Sequence, residues 1–310
     1  MAKVAVIGVG LIGRAWAMVF ARAGWDVALH DSVPGIAEAG LGLIGQGLRA
    51  LAEHGLADDP AAAAARVRVA TDVAAALDGA RFVQENVPET VEAKRAIFAE
   101  LDRYAAPDAI LASSTSAIVA SLFTEGLTGR HRCLVAHPVN PPHLVPLVEL
   151  VGSPWTAPET IERAKAIYLA VGQVPIVVRR EVDGFVLNRL QGALLAEAFR
   201  LVGEGIVSPQ DLDKTVKDGL GLRWSFMGPF ETIELNAPGG IADYCARYTG
   251  FYRSLQAAPA GPEVYSDDNV TRILAQWGEA PATERLAART QWRDRRLAAL
   301  RAHKKAQAES

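Results

Sequence analysis

Val4-Ala5-Val6-Ile7-Gly8-Val9-Gly10-Leu11-Ile12-Gly13 is the stretch on which the fold turns. An apolar β-branched run leads into a GxGxxG turn that opens a helix reaching to about Gly24. Gly8 permits the tight turn, Gly10 lets backbone approach a pyrophosphate, and Gly13 lets helix and strand pack closely. The helix N-terminus, at Leu11 and Ile12, offers free N–H groups and a positive dipole end to phosphate. The next apolar run, Asp26 to His30, ends at Asp31, eighteen residues beyond Gly13. A carboxylate there accepts from both adenine-ribose hydroxyls and repels a 2′-phosphate, and Ser32-Val33-Pro34 supplies no arginine to bind one. NAD is therefore favoured over NADP. The bland alternative is a tight βα turn with Asp31 capping a loop; strand, spacing and acid together weigh against it.

Working outward, strand runs alternate with helical patterns: Lys3 to Ile7, Asp26 to His30, Val67 to Ala70, Phe82 to Glu85, Ala109 to Ala112, Cys133 to Ala136, Leu147 to Val151 and Val174 to Val178. Helical spacing marks Val91 to Tyr104, and Ile36 to Leu51 despite four glycines. Such alternation predicts an α/β fold, a Rossmann-type, doubly wound, mostly parallel sheet. Past Val178 helical patterns take over. Asn188 to Glu204 is one; Ser208-Pro209-Gln210-Asp211 marks the start of another, with Ser208 as cap and Asp211 closing a capping box. The expected division is an NAD-binding domain over 1–181 and a mostly helical second domain over 182–310. The tail from Ala282 reads as a solvated amphipathic helix fraying at its end.

Composition bounds the partners. The 310 residues are 50% hydrophobic and 22% charged, and 32 Lys plus Arg against 35 Asp plus Glu leave a net charge of −3. Core is ample, and neither nucleic acid nor a membrane is the expected partner. Two cysteines far apart, Cys133 and Cys245, indicate neither a disulfide framework nor a metal site. No signal-peptide core or spanning stretch is evident, so the expectation is a cytoplasmic protein.

Three segments place polar groups where a core would not want them. Ser113-Ser114-Thr115-Ser116 and His137-Pro138-Val139-Asn140-Pro141 each follow a strand, and Glu149 sits inside Leu147-Val148-Glu149-Leu150-Val151. Ligands of open α/β sheets bind at such strand ends, and a carboxylate within an apolar strand needs a partner. Each residue also has a bland reading: His137 satisfying loop carbonyls, Ser116 capping a helix, Glu149 in a structural ion pair.

With these motifs, and Asp183-Gly184-Phe185-Val186-Leu187-Asn188-Arg189, the chain resembles the 3-hydroxyacyl-CoA dehydrogenase superfamily. Within it, HPVNPP, LVPLVELV, EGIVSPQDLD, DGLGLRW and LAARTQWRD look closest to the lambda-crystallin, or L-gulonate 3-dehydrogenase, group. The resemblance covers nearly the whole chain. It implies His137 as general base toward a 3-hydroxyl while hydride passes to NAD, Glu149 fixing its tautomer, and Ser116 and Asn188 contacting the substrate oxygen. It also implies that Asn140 shapes the base's turn beside the substrate, that Glu85 meets the nicotinamide side, and that the helical domain forms a homodimer.

The segment Gly221-Leu222-Arg223-Trp224 departs from acyl-CoA members, and Arg223 suits the carboxylate of a free hydroxy acid. Pairing of Arg223 with Glu231 or Asp218 is the structural alternative. From Ile36 to Asp59 there is no lysine and only Arg49, which weighs against CoA phosphates. The expected activity is NAD-dependent oxidation of a small L-3-hydroxy acid, L-gulonate first. Carnitine dehydrogenase, 3-hydroxybutyryl-CoA dehydrogenase and a non-enzymatic, NAD-binding crystallin are the alternatives.

Overall fold

The computed structural model describes residues 2–278 and 281–307. They form two compact units, residues 2–186 with 289–307, and residues 187–278 with 281–288.

The first unit is built on eight strands, β1 (Lys3–Ile7), β2 (Asp26–His30), β3 (Val67–Val69), β4 (Phe82–Glu85), β5 (Ile110–Ser113), β6 (Cys133–Pro138), β7 (Leu147–Gly152) and β8 (Val174–Val178). Their order is β3-β2-β1-β4-β5-β6-β7-β8, parallel except where β6 meets β7. Period-two alternation divides the side chains between the sheet's faces. Val4, Val6, Phe82, Ile110, Leu134 and Leu150 join one apolar cluster, and Ala5, Ile7, Val83, Leu111, Val135 and Val151 the other.

Helices α1 (Leu11–Arg22), α2 (Ile36–Ala52), α3 (Pro60–Ala65) and α7 (Pro158–Ala170) contribute to the first cluster, and α4 (Val73–Leu77), α5 (Val91–Tyr104) and α6 (Ser121–Thr124) to the second. Their starts obey local chemistry: Asp59, Asp72 and Thr90 each accept from a backbone N–H three residues on. The strand order reverses about β1, with β2 on one side and β4 on the other. Parallel sheets bind ligands at the strand ends beside such a switch.

The second unit consists of α8 (Leu187–Gly203), α9 (Pro209–Lys214), a π-helical turn over Thr215–Leu220, α10 (Gly221–Trp224), α11 (Pro229–Leu235), α12 (Gly240–Leu255), α13 (Asp267–Trp277) and the start of α14 (Thr283–Ala306). Ser208 caps α9 by accepting from Asp211 N at 3.1 Å. Asp211 does not return the bond to backbone: its carboxylate accepts from the Ser208 hydroxyl and from Lys214.

Two expectations change. The first unit extends past 181, because Phe185 is buried in the second apolar cluster and Val186 N donates to Glu149. The tail is an exposed helix, as expected, but one face of it docks: α14 from Arg289 belongs to the first unit, where Ala298 is buried in the core and Leu297 packs on it. The expected fraying falls on residues 308–310, outside the described residues.

Candidate active site

The glycine turn fits a dinucleotide at each of its three positions. A Cβ on Gly8 would stand 2.7 Å from Asn86 O, and one on Gly13 1.9 Å from Gly8 O, so neither tolerates a side chain. Gly8 also has φ +85°, which glycine adopts without strain. Gly10 faces open space. Leu11 and Ile12 begin α1, whose N-cap is Gly10 and whose first N–H groups have no side-chain cap.

A cleft of about 680 Å³ opens here, lined among others by Gly8, Gly10, Asp31, Val33, Asn86 and Val87. No lysine or arginine lines it. Asp31 is oriented by backbone, accepting from Val9 N at 2.7 Å and Val33 N at 3.0 Å. The carboxylate thus ties the glycine turn to the end of β2 and keeps lone pairs for ribose hydroxyls. A negative, cation-free rim suits NAD and opposes a 2′-phosphate.

Glu85, expected to meet the cofactor, is directed into the interior. Its carboxylate is fully buried and binds Lys94 Nζ at 3.2 Å, Ser113 Oγ at 2.5 Å and Val87 N at 2.5 Å. Burial pushes its carboxyl above the ordinary range, against the pull of Lys94. The group therefore pins the segment after β4 to α5 and β5, and its acidic oxygens are committed within the protein.

A second polar network underlies the same strand ends. Ser114 Oγ accepts from Trp16 Nε1 at 3.0 Å and Gln84 Nε2 at 2.8 Å, and donates to Asn86 Oδ1 at 2.8 Å. The Tyr168 hydroxyl donates to Gln84 Oε1. Asn86, whose carbonyl abuts Gly8, is thereby fixed from α1, β4, β5 and α7 together. Sequence reasoning missed these groups. The signal was present in Gln84 and Glu85, two polar residues in a strand as buried as the one that drew attention to Glu149.

Ser116 is exposed just beyond β5, and the loop carrying it is fixed by Glu89. One oxygen of Glu89 accepts from Ser116 N at 2.9 Å, Ala117 N at 3.2 Å and the Thr115 hydroxyl. No helix starts at Ser116; the next is α6 at Ser121, so capping does not explain the residue.

The base candidate sits on the neighbouring strand. In the antiparallel pairing of β6 with β7, His137 lies directly opposite Glu149. Parity puts both on the side of Val135 and Val151, and His137 Nδ1 meets Glu149 Oε2 at 2.7 Å. The other carboxylate oxygen accepts from Val186 N at 2.8 Å. Phe185, at φ +49° and fully buried, lies against the imidazole with ring centroids 5.5 Å apart. A bulky residue in the left-handed region is held there at a cost of order 1–3 kcal/mol, a strain that clusters at functional sites. Nδ1 is thus taken by the carboxylate, which leaves Nε2 to exchange a proton. Asn140 is exposed and precedes a cis bond to Pro141. Cys133, four residues before the base, is buried, and burial pushes its thiol up to about 12, so it is not a thiolate at neutral pH.

Ser116, His137 and Glu149 thus lie on, or just beyond, three neighbouring strands of one sheet, β5, β6 and β7. Asn188 and Arg223 belong to the second unit, at the first turn of α8 and in α10. Neither proposed partner of Arg223 engages it. Asp218 pairs with Lys217 at 3.3 Å, and Glu231 accepts from Gly228 N at 2.6 Å, capping α11. Among the described residues no carboxylate lies within ion-pair distance of Arg223.

Comparison with known proteins decides the lineage. Residues 3–182 match the model of the 3-hydroxyacyl-CoA dehydrogenase NAD-binding domain, and 184–282 that of its C-terminal domain. The chain belongs to the 3-hydroxyacyl-CoA dehydrogenase family. It is 44% identical to lambda-crystallin of Oryctolagus cuniculus, covering 96% of each chain. It is 36% identical to L-carnitine dehydrogenase of Pseudomonas putida, covering 96% of this chain and 92% of that one. Among solved structures, an NAD-dependent dismutase described as a 5-dehydrogenase of a formyl-hydroxy-methylpyridine carboxylic acid superposes with TM-score 0.83 at 30% identity, over 97% of this chain and 98% of that one. The family and the cleft agree on NAD as the cofactor.

Proposed function

We propose that the protein oxidises the 3-hydroxyl of a small free L-3-hydroxy acid with NAD, with L-gulonate as the first candidate. The observation that carries the chemistry is the His137–Glu149 pair, buried where β6 ends, at the same end of the sheet as the cofactor cleft. Bound NAD supplies the hydride acceptor. His137 Nε2 takes the hydroxyl proton, and Glu149, hydrogen-bonded at Nδ1, favours the imidazolium that results. In the reverse direction the same nitrogen returns the proton to the forming alkoxide. Ser116 and Asn188 are assigned to the substrate oxygen, where a donor is worth most as charge develops.

Arg223 supports a free acid. A guanidinium without an internal carboxylate is suited to a substrate carboxylate in a two-pronged contact. The resemblance to lambda-crystallins points to L-gulonate, whereas the carnitine dehydrogenase relative keeps L-carnitine as the second reading. The two free thiols suit a reducing compartment, so a cytoplasmic location is part of the proposal.

The test is NADH formation with L-gulonate, L-carnitine, L-3-hydroxybutyrate and 3-hydroxybutyryl-CoA in parallel, for the wild type, His137→Gln and Arg223→Met. We expect preference for a free acid, loss of at least about a hundredfold in kcat for His137→Gln, and a raised KM for the acid in Arg223→Met. Preference for the thioester, or an unmoved KM, overturns the free-acid reading. NAD binding without turnover of any of the four overturns the enzyme.

A further inference from the structure

The helix α14 grips the first unit by a face that hydrophobicity does not mark. Leu297 and Ala298 pack on the core, and Arg301 and Lys305 follow at helical spacing on the same side. Arg301 donates through Nη1 to His143 O and through Nη2 to Gly172 O, each at 2.9 Å. Lys305 Nζ reaches Gly55 O at 3.3 Å. From the last turn of α1, Arg22 Nη1 donates to the same His143 O at 3.0 Å. Two guanidiniums therefore converge on one carbonyl, and among the described residues neither is ion-paired to a carboxylate.

What they hold is the connection between β6 and β7. It links His137 to Glu149, and His143 is its midpoint, six residues from each. The β6–β7 pairing extends only one position past the His–Glu rung, to Pro138 opposite Val148. Proline has no N–H to donate, so the ladder secures the pair from one side only. On the other side the connection is fixed by tethers: Arg22 and Arg301 on the His143 carbonyl, and Gln173 Nε2 on the Pro142 carbonyl at 3.0 Å. Gln173 adjoins Gly172, whose carbonyl Arg301 also holds, so one guanidinium ties the loop and the α7–β8 turn together.

We infer that α14 is a strap on the active-site loop, and that Arg301 is a positioning residue which sets the geometry of the His137–Glu149 pair through the His143 carbonyl. The inference rests on His137 being the base. Arg301 touches neither cofactor nor the reacting atoms; its effect on rate comes from keeping the loop within the tolerance that proton transfer demands. A misplacement of 1 Å at a reacting group costs up to about a hundredfold in rate.

Arg301→Gln and Arg301→Lys test this in the full chain, with the hydroxy acid that gives the best turnover and with His137→Gln alongside. For Arg301→Gln we expect kcat to fall about tenfold or more, with the Kd for NAD unchanged. Arg301→Lys, which keeps the charge but takes one carbonyl instead of two, recovers part of the loss. Unchanged kcat per folded molecule, with a lowered Tm, overturns the inference and makes Arg301 an anchor only. If Arg301→Gln does not fold, Arg301→Lys carries the test, since it keeps a cation on the strap but gives up one of the two carbonyls, and an unchanged kcat there overturns the inference equally. Wild-type turnover by His137→Gln is a separate result, which removes the base assignment itself.

Discussion

His143 lends its carbonyl to two guanidiniums, and its imidazole registers their charge. Burial first, then Arg22, Arg301 and Arg293, push its pKa down to about 4. Nδ1 is buried without a hydrogen-bond partner among the described residues. The folded protein therefore refuses a proton that the unfolded chain accepts near its ordinary value of about 6.5. The stability this group permits is present above that value and is lost as pH falls toward 4, by up to about 3 kcal/mol. His143→Leu removes the titration and leaves the tethered carbonyl in place. Urea midpoints measured from pH 7 to pH 4 should fall less steeply for His143→Leu than for the wild type. At pH 7 the variant should lie within about 1 kcal/mol of wild type, since an unpartnered polar atom is replaced by an apolar one. Equal slopes would show that His143 accepts a proton in the folded state.

At the scale of the element, α5 is fastened to the sheet by a fully buried ion pair. Lys94 and Glu85 are nine residues apart, one in an amphipathic helix and one at a strand end. Removing one partner of such a pair strands a charge and costs about 3–5 kcal/mol, whereas removing both costs less. Lys94→Met should therefore destabilise more than the Lys94→Met, Glu85→Gln double variant, as read by denaturant unfolding of all members of the cycle; additive losses would mean that the two groups are not coupled. The pair also shows what the sequence carried and what it did not. All eight strands were legible because each is a short β-branched run closed by a turn, and α5 because its apolar residues share a face. The antiparallel return of β7 was not legible, since nothing local in Leu147–Gly152 encodes its direction; yet that return sets Glu149 opposite His137. Lys94 and Glu85 read as ordinary charges because burial depends on packing between distant segments. The docked face of α14 was hidden for the same reason, being built from Leu297, Ala298, Arg301 and Lys305 in a helix otherwise dense in charge.

At the scale of the whole molecule, the second unit leaves large apolar side chains in contact with solvent to an extent that a finished surface does not. Leu222, Phe226, Phe230 and Leu235, all within α10 and α11 or between them, are each more than 60% exposed. Phe251, Tyr252 and Leu255 add a second exposed group on α12. Monomeric surfaces rarely gather such patches, and an isologous interface between two copies of a chain is an arrangement that covers them symmetrically. We propose that a second copy of the chain covers this surface; Arg223 lies within the same exposed stretch as Leu222 and Phe226, so the proposed dimer bears on the acid-binding segment. Placing a charge at the most exposed positions, as in Phe230→Asp with Leu235→Lys, should shift the chain toward monomer in sedimentation velocity at micromolar concentration. Stability of the first unit should be unaffected, since none of its core residues lies in α11. Activity should fall with the dimer fraction, and a raised KM for the acid would show that the Arg223 segment needs the interface to hold its shape. A fully active monomer would assign the apolar surface to something other than a second copy and would free the Arg223 site from any dependence on it.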